Sequence, residues 1–238
     1  MRLHRFFITE TIGDKPEIAI RSIKLANQIQ RVFRLKRDDL VVIFDGSGFD
    51  YECSISGIAD GSVSLRVNKS EPSRYMATRD IYLCAGMVKK DVFEWITEKA
   101  TELGVTHIIP VMAERSEKKS LNEARLKKIA IEASEQSGRG DVPVIEKIMT
   151  TKEALDFCFG KALKMPIIVF HTAGDRFKME DPYRTAPLAI FIGPEGGWSP
   201  EEIEMFHKNN TDIYCLGNQI LRSETAVIAT LSQVVFNS

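Results

Sequence analysis

The chain has 238 residues, of which 44% are hydrophobic and 27% charged, and its formal net charge is −1. These values are typical of a globular protein with room for two modest domains. The near-zero charge excludes a global field that would draw the whole molecule to nucleic acid or to a membrane, although a local basic face stays possible. Since no apolar run approaches the ~18 residues of a membrane span, we expect a cytoplasmic protein without a membrane partner.

The first 72 residues favour β-structure. An apolar run over 40–44, a turn over 45–48 and a period-two alternation over 49–55 together predict a hairpin, and a further strand is predicted over 63–67. A helical stretch from about Glu17 to Phe33 interrupts these strands. The polar segment 68–73, which contains Pro72, is the best linker candidate. We therefore predict a small β-barrel domain over residues 1–72.

After this segment, the predicted secondary structure changes to alternating strands and helices. Helices are predicted over 92–103, with Gly104 just past the end, and over 121–137. The predicted strands cover residues 80–84, 106–111, 166–170, 188–192 and 213–216. The alternation predicts a second domain over residues 73–238, with a mainly parallel sheet covered by helices on both faces.

Two glycine-bearing loops each follow one of the last two strands. The first, residues 193–198, lacks the Gly-Lys-Ser/Thr of a nucleoside triphosphatase and the Gly-x-Gly-x-x-Gly of a dinucleotide site. Ser199, Pro200 and Glu202 then predict a helix that begins with a capping box. Because open α/β sheets bind ligands at the carboxyl ends of their strands, the two loops suggest one backbone-built site for a neutral or cationic ligand such as a nucleoside. The alternative is a tight turn without a ligand.

The second loop carries four polar residues where a helix is predicted to begin. Ser223 or Thr225 can cap that helix, and Glu224 suits its dipole. Arg222 has no such explanation, because a cation at a helix N-terminus is mildly unfavourable. It is therefore the stronger functional candidate.

The remaining candidates each have a structural alternative. His171, at a third strand end, is either a satisfied structural group or a site residue. Gly138 and Arg139 suit the C-terminal end of the helix over 121–137. A basic window between residues 21 and 37 is either a solvated face or a phosphate contact. The four cysteines are scattered without metal-ligand spacing, so we expect no metal site. Cys84, Cys158 and Cys215 sit among apolar neighbours, so we expect these three to be buried thiols.

Four motifs in order resemble one known family. KATELGV at 99–105, EQSGR at 135–139, IGPEGG at 192–197 and LGNQILRSETA at 216–226 are similar to the bacterial 16S ribosomal RNA uridine-N3 methyltransferases of the SPOUT superfamily. Arg5-Phe-Phe and the stretch 32–46 resemble the N-terminal domain of that family. The resemblance therefore covers nearly the whole chain.

The resemblance implies a fold and an activity. The fold would be a PUA-like RNA-binding β-barrel over 1–72 and an α/β methyltransferase domain over 73–238 with a deep trefoil knot. The activity would be methylation of N3 of a uridine, with S-adenosylmethionine as cofactor and 16S rRNA or the assembled small ribosomal subunit as substrate. A homodimer is also implied, and the apolar final helix, with Val227, Ile228, Leu231 and Val234, adds to that expectation.

The resemblance also implies site residues. Arg222 would stabilise the uridinate, and Glu224 would act as a base or an orienting group. The implied cofactor-binding residues are Phe170, His171, Thr172, Ile192, Gly193, Glu195, Gly196, Gly197, Leu216, Gly217, Asn218, Ile220, Leu221, Thr225 and Ala226. The RNA-binding candidates are Arg5, Arg21, Lys24, Arg34, Arg37 and Arg139. One departure is Gln219, where the family often carries arginine.

Two other functions stay open at this point. One is an RNA-binding protein that uses no cofactor and keeps the pocket as a relic. The other is a knotted methyltransferase that acts on tRNA or on a protein. Calorimetry with S-adenosylmethionine distinguishes a methyltransferase from the RNA-binding protein. A methylation assay on undermethylated ribosomal subunits distinguishes an rRNA methyltransferase from one that acts on tRNA or on a protein.

Overall fold

The computed structural model describes residues 3–59, 61–117, 120–161 and 165–236, and the chain forms two compact units. The first comprises residues 1–76 and 134–141, and the second comprises residues 77–133 and 142–238. The predicted division after residue 72 thus lies four residues before the observed one. The prediction also placed residues 134–141 in the second domain, whereas they belong to the first unit. Glu135 accepts a hydrogen bond from the Phe7 amide, and the Arg139 carbonyl accepts one from Arg5. No local sequence pattern reveals these two distant contacts.

The first unit is built on one five-stranded sheet. Its strands are β1 (His4–Phe7), β2 (Glu17–Arg21), β3 (Leu40–Phe44), β4 (Phe49–Ala59) and β5 (Ser62–Pro72). They lie in the order β1-β3-β4-β5-β2, in which β1 is parallel to β3 and the other neighbours are antiparallel. All five strands contribute side chains to one apolar core. A short helix, α1 (Ile23–Asn27), continues into a π-helical turn (Gln28–Val32).

Two local predictions in this unit are wrong. The predicted helix over 17–33 begins only after Ser22, whose side chain caps α1, and the residues before it form β2. The reason is that Ile18 and Ile20 alternate with exposed residues and pair with β5. The predicted linker over 68–73 is largely the end of β5, hydrogen-bonded to β4. Its polar composition reflects exposed side chains, and Pro72 is tolerated because it is the last residue of the strand.

The second unit contains the predicted parallel sheet. Its strands are β6 (Ile81–Gly86), β7 (His107–Met112), β8 (Val144–Ile145), β9 (Met149–Thr150), β10 (Ile167–Arg176), β11 (Leu188–Ile192) and β12 (Asp212–Cys215). The order is β12-β10-β11-β6-β7-β8, with β9 also paired to β7, and every pairing is parallel.

Helices cover both faces of this sheet. They are α2 (Lys90–Glu102), α3 (Glu123–Ser137), α4 (Thr151–Lys161), α5 (Asp181–Thr185), α6 (Pro200–Lys208) and α7 (Ser223–Phe236). Alternate residues of the central strands enter different cores, so Leu83 packs with α2 and α7 whereas Cys84 packs with α4 and α6. The predicted helix ends are confirmed by left-handed glycines, Gly104 at φ +93° and Gly138 at φ +88°.

An irregularity in β10 shapes the carboxyl end of the sheet. Phe170 and Asp175 both pair with Tyr214, so residues 171–174 bulge out of the ladder. A side chain at Gly174 would lie 2.6 Å from the Tyr214 carbonyl carbon, which explains why glycine stands there. The predicted strand over 166–170 stops at this bulge, whereas β10 continues to Arg176. The continuation depends on pairing with β12, which the local sequence does not reveal.

Candidate active site

A cavity of about 440 Å³ opens at the bulge of β10 and at the carboxyl ends of β11 and β12, within the second unit. Its size lies in the range of sites that hold small molecules and cofactors. Its lining comes from four parts of the chain: Arg115, residues 170–172, residues 192–198, and residues 215–217, 219–223 and 226. The two glycine loops that the sequence singled out therefore share one cavity with the bulge of β10.

Most of the predicted site residues lie in this lining. They are Phe170, His171, Thr172, Ile192, Gly193, Glu195, Gly196, Gly197, Leu216, Gly217, Ile220, Leu221, Arg222 and Ala226. The structure does not bring Asn218, Glu224 or Thr225 to it. For the last two the reason is helical geometry: at about 100° per residue, Ser223 and Ala226 face the cavity while Glu224 and Thr225 turn away from it.

The first glycine loop lies tightly against the sheet. A side chain at Gly86, the last residue of β6, would lie 2.3 Å from the Pro194 nitrogen. Trp198 is 2% exposed, and its indole N–H donates to the Phe170 carbonyl at 3.2 Å. A side chain at Gly193 would begin 3.3 Å from the Trp198 ring. Close packing thus requires glycine at position 86 and leaves little room for a side chain at position 193, and Trp198 ties the loop to β10.

The predicted capping box that begins α6 is confirmed. Ser199 accepts the Glu202 amide at 3.2 Å, and Glu202 accepts the Ser199 amide at 2.9 Å. Glu202 is only 6% exposed, and its other carboxylate oxygen accepts hydrogen bonds from the Thr151 hydroxyl and the Glu114 amide. The box therefore also fixes the start of α4 and the segment after β7.

The second glycine loop differs from the expected cap. The Arg222 carbonyl accepts the Ala226 amide at 2.9 Å, so Arg222 itself occupies the N-cap position and neither Ser223 nor Thr225 does. The Ser223 hydroxyl instead donates to the Gly193 carbonyl at 2.7 Å and joins the two loops. The Arg222 side chain is exposed, and within the described ranges it has no hydrogen-bond or ion-pair partner.

His171 presents a neutral imidazole at the cavity. Burial, and to a lesser extent the positive charge of Arg115, lowers its pKa below the ordinary histidine value. Its Nδ1 accepts the Ala173 amide at 3.2 Å, which leaves the proton of the neutral ring on Nε2. The ring can therefore donate one hydrogen bond from Nε2 at neutral pH.

Sequence reasoning missed four lining residues, namely Arg115, Trp198, Cys215 and Ser223 as a bridge between the loops. Trp198 belongs to the first loop and was within reach of the same argument. Arg115 is far away in sequence. Ligands in open α/β sheets bind beyond the carboxyl ends of the strands. Applied to the residues that follow β7, this rule would have identified Arg115 as a candidate.

The RNA-binding candidates fall into two groups in the first unit. Arg21, Lys24, Arg34 and Arg37 are exposed, and Arg34 and Arg37 line a groove together with Lys36 and Gln30. Arg5 and Arg139 are instead committed to internal ion pairs. Arg5 binds Asp50 at 2.9 Å, and Arg139, 4% exposed, binds Asp141 at 2.7 Å. Their burial leaves little of either guanidinium for a phosphate.

The described residues contain no helix long and apolar enough to cross a membrane. Among them there is also no group of three or more His, Cys, Asp or Glu side chains that could hold a metal ion. Three of the four cysteines are buried thiols, whereas Cys215 is half-buried and lines the cavity.

Comparisons with known proteins agree with this architecture. The chain is 28% identical to the ribosomal RNA small subunit methyltransferase E of Rickettsia conorii, over 98% of this chain and 96% of the relative. It is 28% identical to the protein of the same name from Bacillus subtilis, over 99% and 97%. The structure of a ribosomal RNA small subunit methyltransferase E from Neisseria gonorrhoeae, bound to S-adenosyl methionine, superposes with a TM-score of 0.85 at 25% identity and covers 98% of this chain and 97% of that one.

Two family models match the chain. Residues 29–68 match the RNA methyltransferase PUA domain, which confirms the expected PUA-like character of the first unit. Residues 76–235 match the RNA methyltransferase domain, which spans most of the second unit and all of the cavity lining. The chain therefore belongs to the RNA methyltransferase family.

Proposed function

We propose that this protein transfers the methyl group of S-adenosylmethionine to N3 of a uridine in small-subunit ribosomal RNA. The observation that carries the proposal is the cavity shared by the two glycine loops, with Arg222 in its lining and no described residue paired with that guanidinium. The names of the relatives and the S-adenosyl methionine bound by the Neisseria protein support both the substrate class and the cofactor. An rRNA substrate is also the reason to propose a cytoplasmic location.

The residues present suit an adenosyl group. Phe170, Ile192 and Leu216 give the cavity apolar walls, and the glycines between them expose backbone amides and carbonyls for polar contacts. A side chain at Gly217 would meet only the Gln219 side chain, at 3.5 Å, so the backbone there is open to a ligand. When bound, the cofactor supplies an activated methyl group on a sulfonium. The protein's own contribution is to align the reactants and exclude water.

The substrate requires charge stabilisation. N3 of uridine carries a proton, and its removal leaves negative charge on the two flanking carbonyl oxygens. The guanidinium of Arg222, which lines the cavity, can donate hydrogen bonds to one of these oxygens. Because N3 is normally engaged in pairing or stacking, the base must be single-stranded or extruded to reach the cavity.

Glu224 suits an orienting role better than that of a base. It lies outside the cavity lining, and its Oε2 atom is buried without a hydrogen-bond partner among the described residues. A buried carboxylate oxygen without a donor is costly. We propose that bound RNA or a second copy of the chain supplies that donor.

The decisive experiment is a methylation assay on small ribosomal subunits from a strain that lacks this protein. We expect N3-methyluridine in the rRNA by mass spectrometry, and heat of S-adenosylmethionine binding by calorimetry. Cofactor binding without methylation of subunits or free 16S rRNA, but with methylation of tRNA or a protein, would favour the rival enzyme. No cofactor binding would favour an RNA-binding protein.

The exposed basic residues of the first unit are proposed to bind RNA phosphates. Changing Arg34 and Arg37 to glutamine should weaken RNA binding and lower the slope of log K against log salt by about one unit per lost contact. Arg66→Gln is the matched control, since this exposed arginine on β5 lies outside the groove. An unchanged slope in the double variant would mean that the basic groove is only a solvated face.

A homodimer is also proposed, but the residues that support it differ from those that the sequence indicated. Val227, Leu231 and Val234 of α7 are buried in the core of their own chain. Support comes instead from Ile220, 86% exposed beside the cavity, and Phe236, 72% exposed at the end of α7.

Light scattering at micromolar concentration tests this assembly. We expect about 54 kDa, twice the 26.8 kDa of a single chain. Phe236→Asp should shift the mass toward one chain, whereas Phe159→Asp, an exposed phenylalanine on α4, should leave it unchanged. A wild-type mass near that of a single chain would exclude the dimer.

The trefoil knot is proposed as well. The strand order supports it, because β12 pairs with the edge of β10 opposite to β11 and the connection from β11 must therefore cross β10. Pulling a single molecule by its termini should give an unfolded contour shorter than 238 extended residues, by the length of the tightened knot. A full contour length would contradict the proposal.

A further inference from the structure

Arg115 is a cation of the cavity that neither the glycine loops nor the family resemblance assigns. It lies three residues beyond β7, and its Nη1 donates to the Gly196 carbonyl at 3.3 Å. The side chain is exposed, and no carboxylate among the described residues forms an ion pair with it. The described part of the chain therefore leaves its positive charge unbalanced at the cavity, where an anionic ligand can reach it.

The turn that carries Arg115 is anchored on both sides. The Ser116 amide donates to the Ala113 carbonyl at 3.0 Å, and the Ala113 amide donates to the Ser116 hydroxyl at 3.1 Å. Between them, the Glu114 amide donates to the buried carboxylate of Glu202 at 3.2 Å. The backbone of Arg115 is thus held in place before any ligand arrives, which lowers the entropic cost of using its side chain in binding.

The chemistry of the cavity indicates an anionic ligand for this guanidinium. A sulfonium is positive and gains nothing from a nearby arginine. One N–H group contacts Gly196, and the other donors of the fork are available for the paired oxygens of a phosphate.

We propose that Arg115 binds a backbone phosphate at or next to the target uridine, and so contributes to RNA affinity at the mouth of the cavity. The inference rests on the proposed function and assigns to Arg115 a substrate-binding role separate from that of Arg222. The methionine carboxylate of the cofactor is the competing anion, so the experiment must measure cofactor and RNA binding separately.

The experiment compares the wild type with Arg115→Ala and Arg115→Lys, with small ribosomal subunits from a deletion strain as the RNA probe. We expect Arg115→Ala to raise the Kd for the subunits about 10- to 100-fold and to lower the salt slope by about one unit. The Kd for S-adenosylmethionine and the single-turnover rate at saturating subunits should stay within about threefold. Arg115→Lys should restore the slope but only part of the affinity, because it keeps the charge and loses the planar fork.

Arg125→Ala is the matched control, since this exposed arginine of the same unit pairs with Glu94 and lies outside the cavity. It should behave as the wild type in every measurement. If the wild type itself does not methylate the subunits, the proposed function fails, whatever Arg115 does.

Three results with an active wild type would overturn the inference. Weakened cofactor binding with unchanged RNA binding would mean that Arg115 holds the cofactor carboxylate or clamps the Gly196 loop. A slow rate at saturating subunits with unchanged Kd values would make it a charge-stabilising group. No change in any quantity would make it an ordinary surface residue.

Discussion

Replacing Arg222 by alanine is expected to lower the single-turnover methylation rate at saturating RNA by about 10²–10³, the usual scale for losing one charge-stabilising donor. The reason is that the guanidinium lines the cavity, makes no hydrogen bond or ion pair with any residue the structure describes, and can act on charge that exists only while N3 is deprotonated. Because the cofactor brings a positive sulfonium, its Kd should change by no more than about threefold. Rapid quenching and calorimetry measure the two quantities.

The control for this variant is again Arg125→Ala, which removes an exposed arginine elsewhere in the second unit. A rate close to that of the wild type in Arg222→Ala would show that Arg222 is structural or only anchors RNA. Glu224, or a group from a second chain, would then become the first candidate for stabilising the uridinate.

Gly217→Val is expected to weaken binding of S-adenosylmethionine at least about 100-fold, since filling a ligand site with a branched side chain removes several contacts and adds a clash. The fold should survive the change. Gly217 has no left-handed φ, and the nearest atom to a new Cβ is the flexible Gln219 side chain at 3.5 Å. By contrast, Gly193 is unsuitable for this test, because a side chain there would displace the buried Trp198.

Gly160→Val makes the same chemical change on the exposed surface of α4, where a Cβ would meet no atom of the described residues within 4 Å. It should bind the cofactor as the wild type does, and thermal unfolding should report folded protein for both variants. Normal cofactor affinity in a folded Gly217→Val protein would contradict the assignment of the cavity as the cofactor site.

Local patterns in the sequence determined much of the second unit. The continuous apolar runs of β6 and β11 predict strands buried on both faces, and both are fully buried in the parallel sheet. Ser199 and Glu202 predict a capping box, which forms as expected. These features depend on residues within a few positions of each other, so the sequence alone contains the information that decides them.

The glycine loops belong to the same class of prediction. Glycines that follow apolar strands mark places where the backbone must come close to something, and parallel strands bring their carboxyl ends to one edge. For that reason the shared cavity could be predicted, whereas its exact walls could not. Glu224 and Thr225 are adjacent in sequence to lining residues, and only the rotation of α7 turns them away.

Tertiary structure alone decided the features that depend on distant partners. Residues 17–21 form a strand because β5 lies beside them, and the bulge at 171–174 exists because β12 pairs on both sides of it. In the sequence, Arg5 and Arg139 cannot be told apart from the other basic residues that were predicted to bind RNA. In the structure, Asp50 and Asp141 hold them in internal ion pairs. Arg115 joins the cavity only through the parallel pairing of β7 with β6 and the anchor at Glu202. Composition and periodicity describe the secondary structure that a segment favours by itself. Its burial and its ion pairs depend on which distant segments pack against it.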